Sequence, residues 1–197
     1  MNQVNFQSGK FYHLFNRGNN KQAIFFDEKN YLYFMDLVKK HLLPIAKIYA
    51  YCLLNNHFHF LIQLKDEELP EKFKNGKSKL HQPISNLFNA YTKAINKMYN
   101  RTGSLFQEHI KRKEINSLEY LRQVIIYIHL NPFNHGISSN FKSYPYSSYR
   151  GIISTKQTLL QREEVIEMFE DVANFKYVHQ NQRVNEEVLN QIIVEDD

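Results

Sequence analysis

The spacing of apolar residues changes several times along the chain, and each change marks an element. Residues 10–18 (KFYHLFNRG) alternate well enough for a strand that ends in an Asn-Arg-Gly turn. Residues 26–43 then carry Tyr31, Phe34, Met35 and Val38 at helical spacing, with Asp27 as N-cap and Pro44 as the stop. Two β-rich runs, 45–56 and 57–65, meet at Asn55-Asn56 and read as neighbouring antiparallel strands. The polar, patternless stretch 66–82 predicts a loop. Residues 83–101 are amphipathic through Ile84, Leu87, Phe88, Tyr91, Ile95 and Met98, with Pro83 near the helix start and Thr102-Gly103 past its end. A strand-bearing segment follows at 104–116, then a helix over 117–132 with Ser117 as N-cap and Pro132 as terminator. Beyond residue 150, QREEVIEMFED (161–171) and NEEVLNQIIVEDD (185–197) predict further short helices.

The predicted order is β-α-β-β-α-β-α, and its first six elements make a ferredoxin-like split β-α-β unit. That is an α+β fold, an antiparallel sheet with helices on one face. It implies a domain over 1–152 and a helical C-terminal extension over 153–197. With 43% hydrophobic residues in 197, the chain is suited to one domain with a real core.

Chemistry concentrates in NNHFHFLIQLK, residues 55–65. On a strand, residues two apart project to one face, so His57 and His59 can converge on one ion while Phe58 enters the core. An H-apolar-H triplet also arises by chance, so further ligands and a reactive group are needed beside it. The helix over 117–132 offers them: Tyr120, Tyr127 and Asn131 fall within about 40° of each other along one edge. His129 lies on nearly the opposite side and reads as a surface or structural histidine. Tyr127 can equally be an amphipathic core tyrosine.

Composition changes the picture in two ways. The formal charge is +5 and the pI about 9.1, with Lys111-Arg112-Lys113 as one basic cluster, in a chain holding 13 Tyr and 15 Phe. Cations neutralise phosphates and rings stack on unpaired bases, so the balance suits nucleic acid, or else a mildly basic protein with an aromatic core. The single cysteine, Cys52, rules out an internal disulfide framework. With no signal-like N-terminus and no apolar run of spanning length, this predicts a soluble cytoplasmic protein with no membrane partner. No Walker A loop or Gly-rich dinucleotide fingerprint is present, so no nucleotide cofactor is expected.

Five segments together, YHLFNRGNNKQAIFFDEKNY (12–31), LLNNHFHFLIQ (53–63), RTGSLFQEHIKRK (101–113), YLRQVIIYIHLNPFNHGI (120–137) and YPYSSYRG (144–151), resemble the single-tyrosine HUH transposases. The likeness is greatest to the REP-associated tyrosine transposases, related to small insertion-sequence transposases, and it runs over about residues 10–152. It implies that His57 and His59 hold Mg²⁺ or Mn²⁺, with Asn131 as third ligand and Tyr127 as nucleophile; Tyr120 is the rival nucleophile. It further implies single-stranded or hairpin DNA as substrate. Asn16 and Arg17 lie in a segment associated with bases near the cleavage site, and Lys111, Arg112 and Lys113 are candidates for phosphate contacts or a solvated basic face. Tyr144, Tyr146 and Tyr149 could stack on bases, though core packing is the expected role. The loop at 66–82 is longer than the family's minimal pattern.

The implied function is a nicking and rejoining enzyme that works through a 5′-phosphotyrosine, as a monomer or homodimer. A non-catalytic nucleic-acid-binding module on the same fold is the alternative. A hydrolytic nuclease using the two histidines and water would leave the Tyr127/Asn131 alignment unexplained.

Overall fold

The computed structural model describes residues 5–74 and 79–181. Strand β1 (Phe11–Arg17), helix α1 (Glu28–His41), strands β2 (Ala46–Leu53) and β3 (His57–Leu64), helices α2 (Glu71–Lys74) and α3 (His81–Met98), strand β4 (Lys111–Ile115) and helix α4 (Leu118–Asn134) follow in order. The strands form one antiparallel sheet in the order β2-β3-β1-β4, that of a ferredoxin-like split unit.

Local chemistry sets the boundaries. Asp27 caps α1 by accepting from the Asn30 backbone N–H, and Asn30 returns a bond to the Asp27 N–H, a closed capping box. Ser117 caps α4 through the Tyr120 N–H at 3.2 Å. The turn between β2 and β3 is pinned from outside: Asn55 O accepts from the Ile24 and Phe25 N–H groups, and Asn56 O from Gly18 N–H at 2.7 Å. The start of β3, where His57 stands, is thereby fixed to the end of β1.

At two prolines the boundaries depart from the predicted ones. Helix α3 begins at His81, before Pro83, which therefore occupies the first turn, where a missing N–H costs nothing. Pro132 does not terminate α4; the helix runs on to Asn134 with Pro132 buried inside it. A proline removes one bond, the one to the carbonyl four residues back, and its ring disturbs that turn. Here α4 continues for two residues and closes with the His135 N–H on Asn131 O at 3.0 Å. Within the predicted loop, Leu69 is buried and α2 forms a single turn.

The sheet is covered on both sides, which is why His57 through Ile62 are all buried. On one face Phe58 and Phe60 meet Phe34 of α1, and Phe58 stacks on Phe88 of α3 at 5.3 Å. The two helices of the split unit thus share one face. On the other, Tyr127 of α4 lies against His13 and His59.

Three more helices follow: α5 (Tyr149–Ile153), α6 (Arg162–Met168) and α7 (Val172–Asn181). Helix α6 is the one predicted over 161–171; the helix predicted over 185–197 lies outside the described residues. Val165 and Phe175 have no exposure, and Glu164 takes a bond from the Tyr49 hydroxyl and pairs with Lys47 at 3.1 Å. Tyr144, Tyr146 and Tyr149 pack, as expected: Tyr144 donates to Leu53 O, Tyr146 stacks on Tyr31 at 3.6 Å, and Tyr149 stacks on Phe175 at 5.5 Å. No helix among the described residues is long and apolar enough to cross a membrane.

Candidate active site

Alternation along β3 sends His57 and His59 to the α4 face, with ring centroids 5.3 Å apart and the planes perpendicular. Each ring is held by its Nδ1. His57 Nδ1 lies 2.6 Å from Asn56 Oδ1, and an amide oxygen only accepts, so Nδ1 carries the proton and Nε2 the lone pair. His59 Nδ1 lies 3.0 Å from Nε2 of His13, a buried histidine on the neighbouring strand. The Nε2 atoms of His57 and His59 are buried and have no hydrogen-bond partner among the described residues.

Helix α4 places Tyr127 and Asn131 one turn apart over these histidines. The Tyr127 ring meets His59 edge-on at 5.5 Å and His13 at 6.2 Å, and the residue is only 3% exposed. Asn131 is wholly buried, and its Nδ2 donates to Tyr127 O at 2.9 Å. That bond uses one N–H of the amide, and Oδ1 is unpartnered. The Asn131 side chain is near enough to His57 to favour its protonated form, yet the two make no hydrogen bond of acceptable geometry. The sequence-predicted metal set therefore comes together as three buried polar atoms without a hydrogen-bond partner, His57 Nε2, His59 Nε2 and Asn131 Oδ1.

Burial pushes the His57 pKa down to about 3, with help from His135 and Arg17 and against the pull of Asn131. His59 is pushed well below the ordinary range by burial first and then by His13, His57, His135 and Arg17. His13 falls to about 3 through burial and Lys113. Neutral imidazoles are what a metal needs, because protons do not compete for the lone pairs. An unsatisfied buried polar atom costs roughly 1–3 kcal/mol, and a cation bound by all three would relieve that cost. Among the described residues no group of three or more His, Cys, Asp and Glu is arranged to hold a metal. The donors that fit one are two imidazoles and an amide, a set that leaves other coordination positions for water or a substrate oxygen.

The remaining predicted residues divide. Arg17 pairs with His57 across the β1–β3 ladder, on the histidine face, and its charge acts on both histidines. Lys111 and Lys113 of β4 stand on that same face: Lys111 lies over the Phe15 ring at 5.7 Å and Lys113 over Tyr120 at 5.4 Å. Arg112 points to the opposite face, over Phe6 at 4.5 Å. Tyr120 thus sits two turns from Tyr127, against Lys113. Asn16 is buried; its amide donates to Gln107 O and His109 O and accepts from Arg17 N–H, tying the 107–109 segment to β1.

Two residues escaped the sequence. His13 was hidden because its partner is 46 residues away and meets it only through strand register. His135, the exposed C-cap of α4, has its ring 4.6 Å from His57. Its place at the end of the Asn-Pro-containing helix, one turn past Asn131, was the available signal. His129, read as a surface or structural histidine, is wholly buried and structural: Nδ1 meets His179 Nε2 at 2.9 Å and Nε2 meets Ser148 Oγ at 2.8 Å.

No family model matches the chain, and no curated protein matches it. Among solved structures, it is similar to a REP-associated tyrosine transposase bound to a REP hairpin, at a TM-score of 0.59 and 15% sequence identity. The match covers 79% of this chain and 85% of that one. At that identity the likeness is one of fold, and the fold the two share is the four-stranded antiparallel sheet with its helices.

Proposed function

We propose that this chain is a metal-dependent DNA strand transferase that nicks and rejoins single strands through Tyr127. The observation that carries the proposal is the meeting, on one face of the sheet, of Tyr127 with three buried, unpartnered ligand atoms, His57 Nε2, His59 Nε2 and Asn131 Oδ1. The similar transposase bound to a hairpin supports single-stranded or hairpin DNA as the substrate.

The chemistry a bound Mg²⁺ or Mn²⁺ supplies at these atoms is polarisation of a non-bridging phosphate oxygen and stabilisation of transition-state charge. His57, His59 and Asn131 hold and orient; Arg17, beside His57, adds a fixed positive charge for the phosphate. The Tyr127 phenol gives up its proton, and its oxygen attacks phosphorus while the P–O3′ bond breaks. The DNA 5′-phosphate is then joined to Tyr127, and the departing O3′ takes up a proton as a 3′-OH. A second 3′-OH can reverse the step on a different end, so strands are exchanged without a nucleotide cofactor. Lys111 and Lys113 extend the positive surface on the same side and suit backbone contacts. Tyr127, His57, His59 and Asn131 meet within one chain, an arrangement that supports attack in cis.

A non-catalytic binding module is favoured by one observation, the 3% exposure of Tyr127. The deciding experiment incubates the chain and a Tyr127→Phe variant with labelled hairpin DNA and Mn²⁺ and seeks a protein-linked label on a denaturing gel. We expect an adduct in the wild type and none in the variant. An adduct that persists would move the nucleophile to Tyr120, and DNA binding with neither cleavage nor adduct would support the binding module.

A further inference from the structure

We propose that His13 is a positioning residue that holds His59 in the one tautomer able to bind a metal. This rests on the metal site proposed above. His13 is 1% exposed and lies on β1, where alternation puts it on the face of the site. Its ring centroid lies 4.8 Å from that of Phe15 and 5.1 Å from that of His59, which are 5.8 Å from each other, and 6.2 Å from that of Tyr127, which meets it edge-on. That packing aims Nε2 at His59 Nδ1, 3.0 Å away.

At 3.0 Å the two nitrogens are hydrogen-bonded, so a single proton lies between them, and it can belong to either ring. If His13 carries it, His59 must place its own proton on Nε2, where it blocks coordination. If His59 carries it, His59 Nε2 is a lone pair facing the same space as His57 Nε2 and Asn131 Oδ1, and His13 carries its proton on Nδ1. Either arrangement leaves two buried atoms unpaired, His13 Nδ1 and His59 Nε2. A cation at His59 Nε2 satisfies one of them, and only in the second arrangement. Metal binding and the direction of the His13–His59 hydrogen bond are therefore the same choice. An acceptor at position 13 favours that choice, as hydrogen-bonded partners of ligating histidines do generally.

The test titrates Mn²⁺ into the full chain without DNA and follows the electron paramagnetic resonance of free Mn²⁺. Variants are His59→Ala, His13→Phe, which keeps a ring and removes the acceptor, and His13→Gln, whose amide oxygen can replace it. We expect His59→Ala to abolish binding, His13→Phe to weaken it about 10- to 100-fold, and His13→Gln to recover most of that loss. Wild-type affinity in His13→Phe, with binding lost in His59→Ala, would overturn the role of His13 and leave the metal site standing. Absence of any wild-type site would overturn both. If His13→Phe does not fold, long-range ¹H–¹⁵N spectra of the wild type with Mg²⁺ decide: His59 protonated on Nδ1 supports the proposal, and protonated on Nε2 overturns it.

Discussion

Asn131 illustrates how much of the site depends on single atoms. Its Nδ2 is bonded to Tyr127 O, which fixes the amide plane and leaves the oxygen, the end that can meet a cation, unpartnered. Gly18 does comparable work with no side chain. Its backbone is extended, yet a Cβ there would fall 1.9 Å from Gln22 O and 2.9 Å from Gln22 C, both rigid backbone atoms. The close approach brings Gly18 N–H to Asn56 O, and Asn56 in turn holds His57. We expect Gly18→Ala to destabilise the chain by about 1–3 kcal/mol, read as a lowered urea midpoint, because backbone must move to admit the methyl group. A change within about 0.5 kcal/mol would show that the loop yields freely. His13 was illegible in the sequence because its contact is non-local, and Gly18 was legible only as the end of a turn, since its bond to Asn56 is non-local too. His57, His59, Tyr127 and Asn131 were legible because i+2 on a strand and i+4 on a helix are local geometry.

At the scale of elements, α4 is the decisive one. The sequence revealed its cap, its apolar face and the shared edge of Tyr127 and Asn131. It did not reveal that the opposite side is buried too, since that requires knowing that residues beyond 152 fold back over the helix. Strands β1 to β3 and α1 were read nearly to their ends, where period and caps are strong, whereas β4 fills only the second half of its predicted segment. Pro132 misled because a proline costs one bond and some crowding, and a helix packed on both sides can absorb that. The back of α4 is fixed by a hydrogen-bonded chain: Ser148 Oγ to His129, His129 to His179, and His179 Nδ1 to Phe175 O at 2.7 Å. Replacing His179 with Leu keeps the bulk and strands His129 Nδ1 in the core. We expect this to cost on the order of 1–3 kcal/mol and to speed hydrogen exchange of the α4 amides between Val124 and Ile128. Unchanged exchange with a lowered global stability would mean that α7 is dispensable for holding α4.

At the scale of the whole molecule, the sheet separates two kinds of interior. The face under α1 and α3 is aromatic, whereas the face under α4 collects buried histidines next to Arg17, Lys111 and Lys113. Among the described residues five histidines are buried: His13, His57, His59, His129 and His179. Burial is the leading cause in each, taking His13 and His57 to about 3, His179 to about 4, and His59 and His129 well below the ordinary value. In the unfolded chain they titrate near 6.5. Below that pH the unfolded state binds protons that the folded state refuses, so stability is complete above about pH 6.5 and falls as pH drops through it. The loss continues until the folded values near 4 and 3 are reached. Each histidine contributes on the order of 1 kcal/mol per pH unit in that window. Five acting together would remove several kcal/mol by pH 5.5, much of what an ordinary domain has. Urea unfolding between pH 7.5 and 5 should accordingly give a plateau above pH 7 and a steep fall below 6.5. A stability that stayed flat to pH 5 would mean that the buried rings take up protons in the folded state and that the histidine face is open to water.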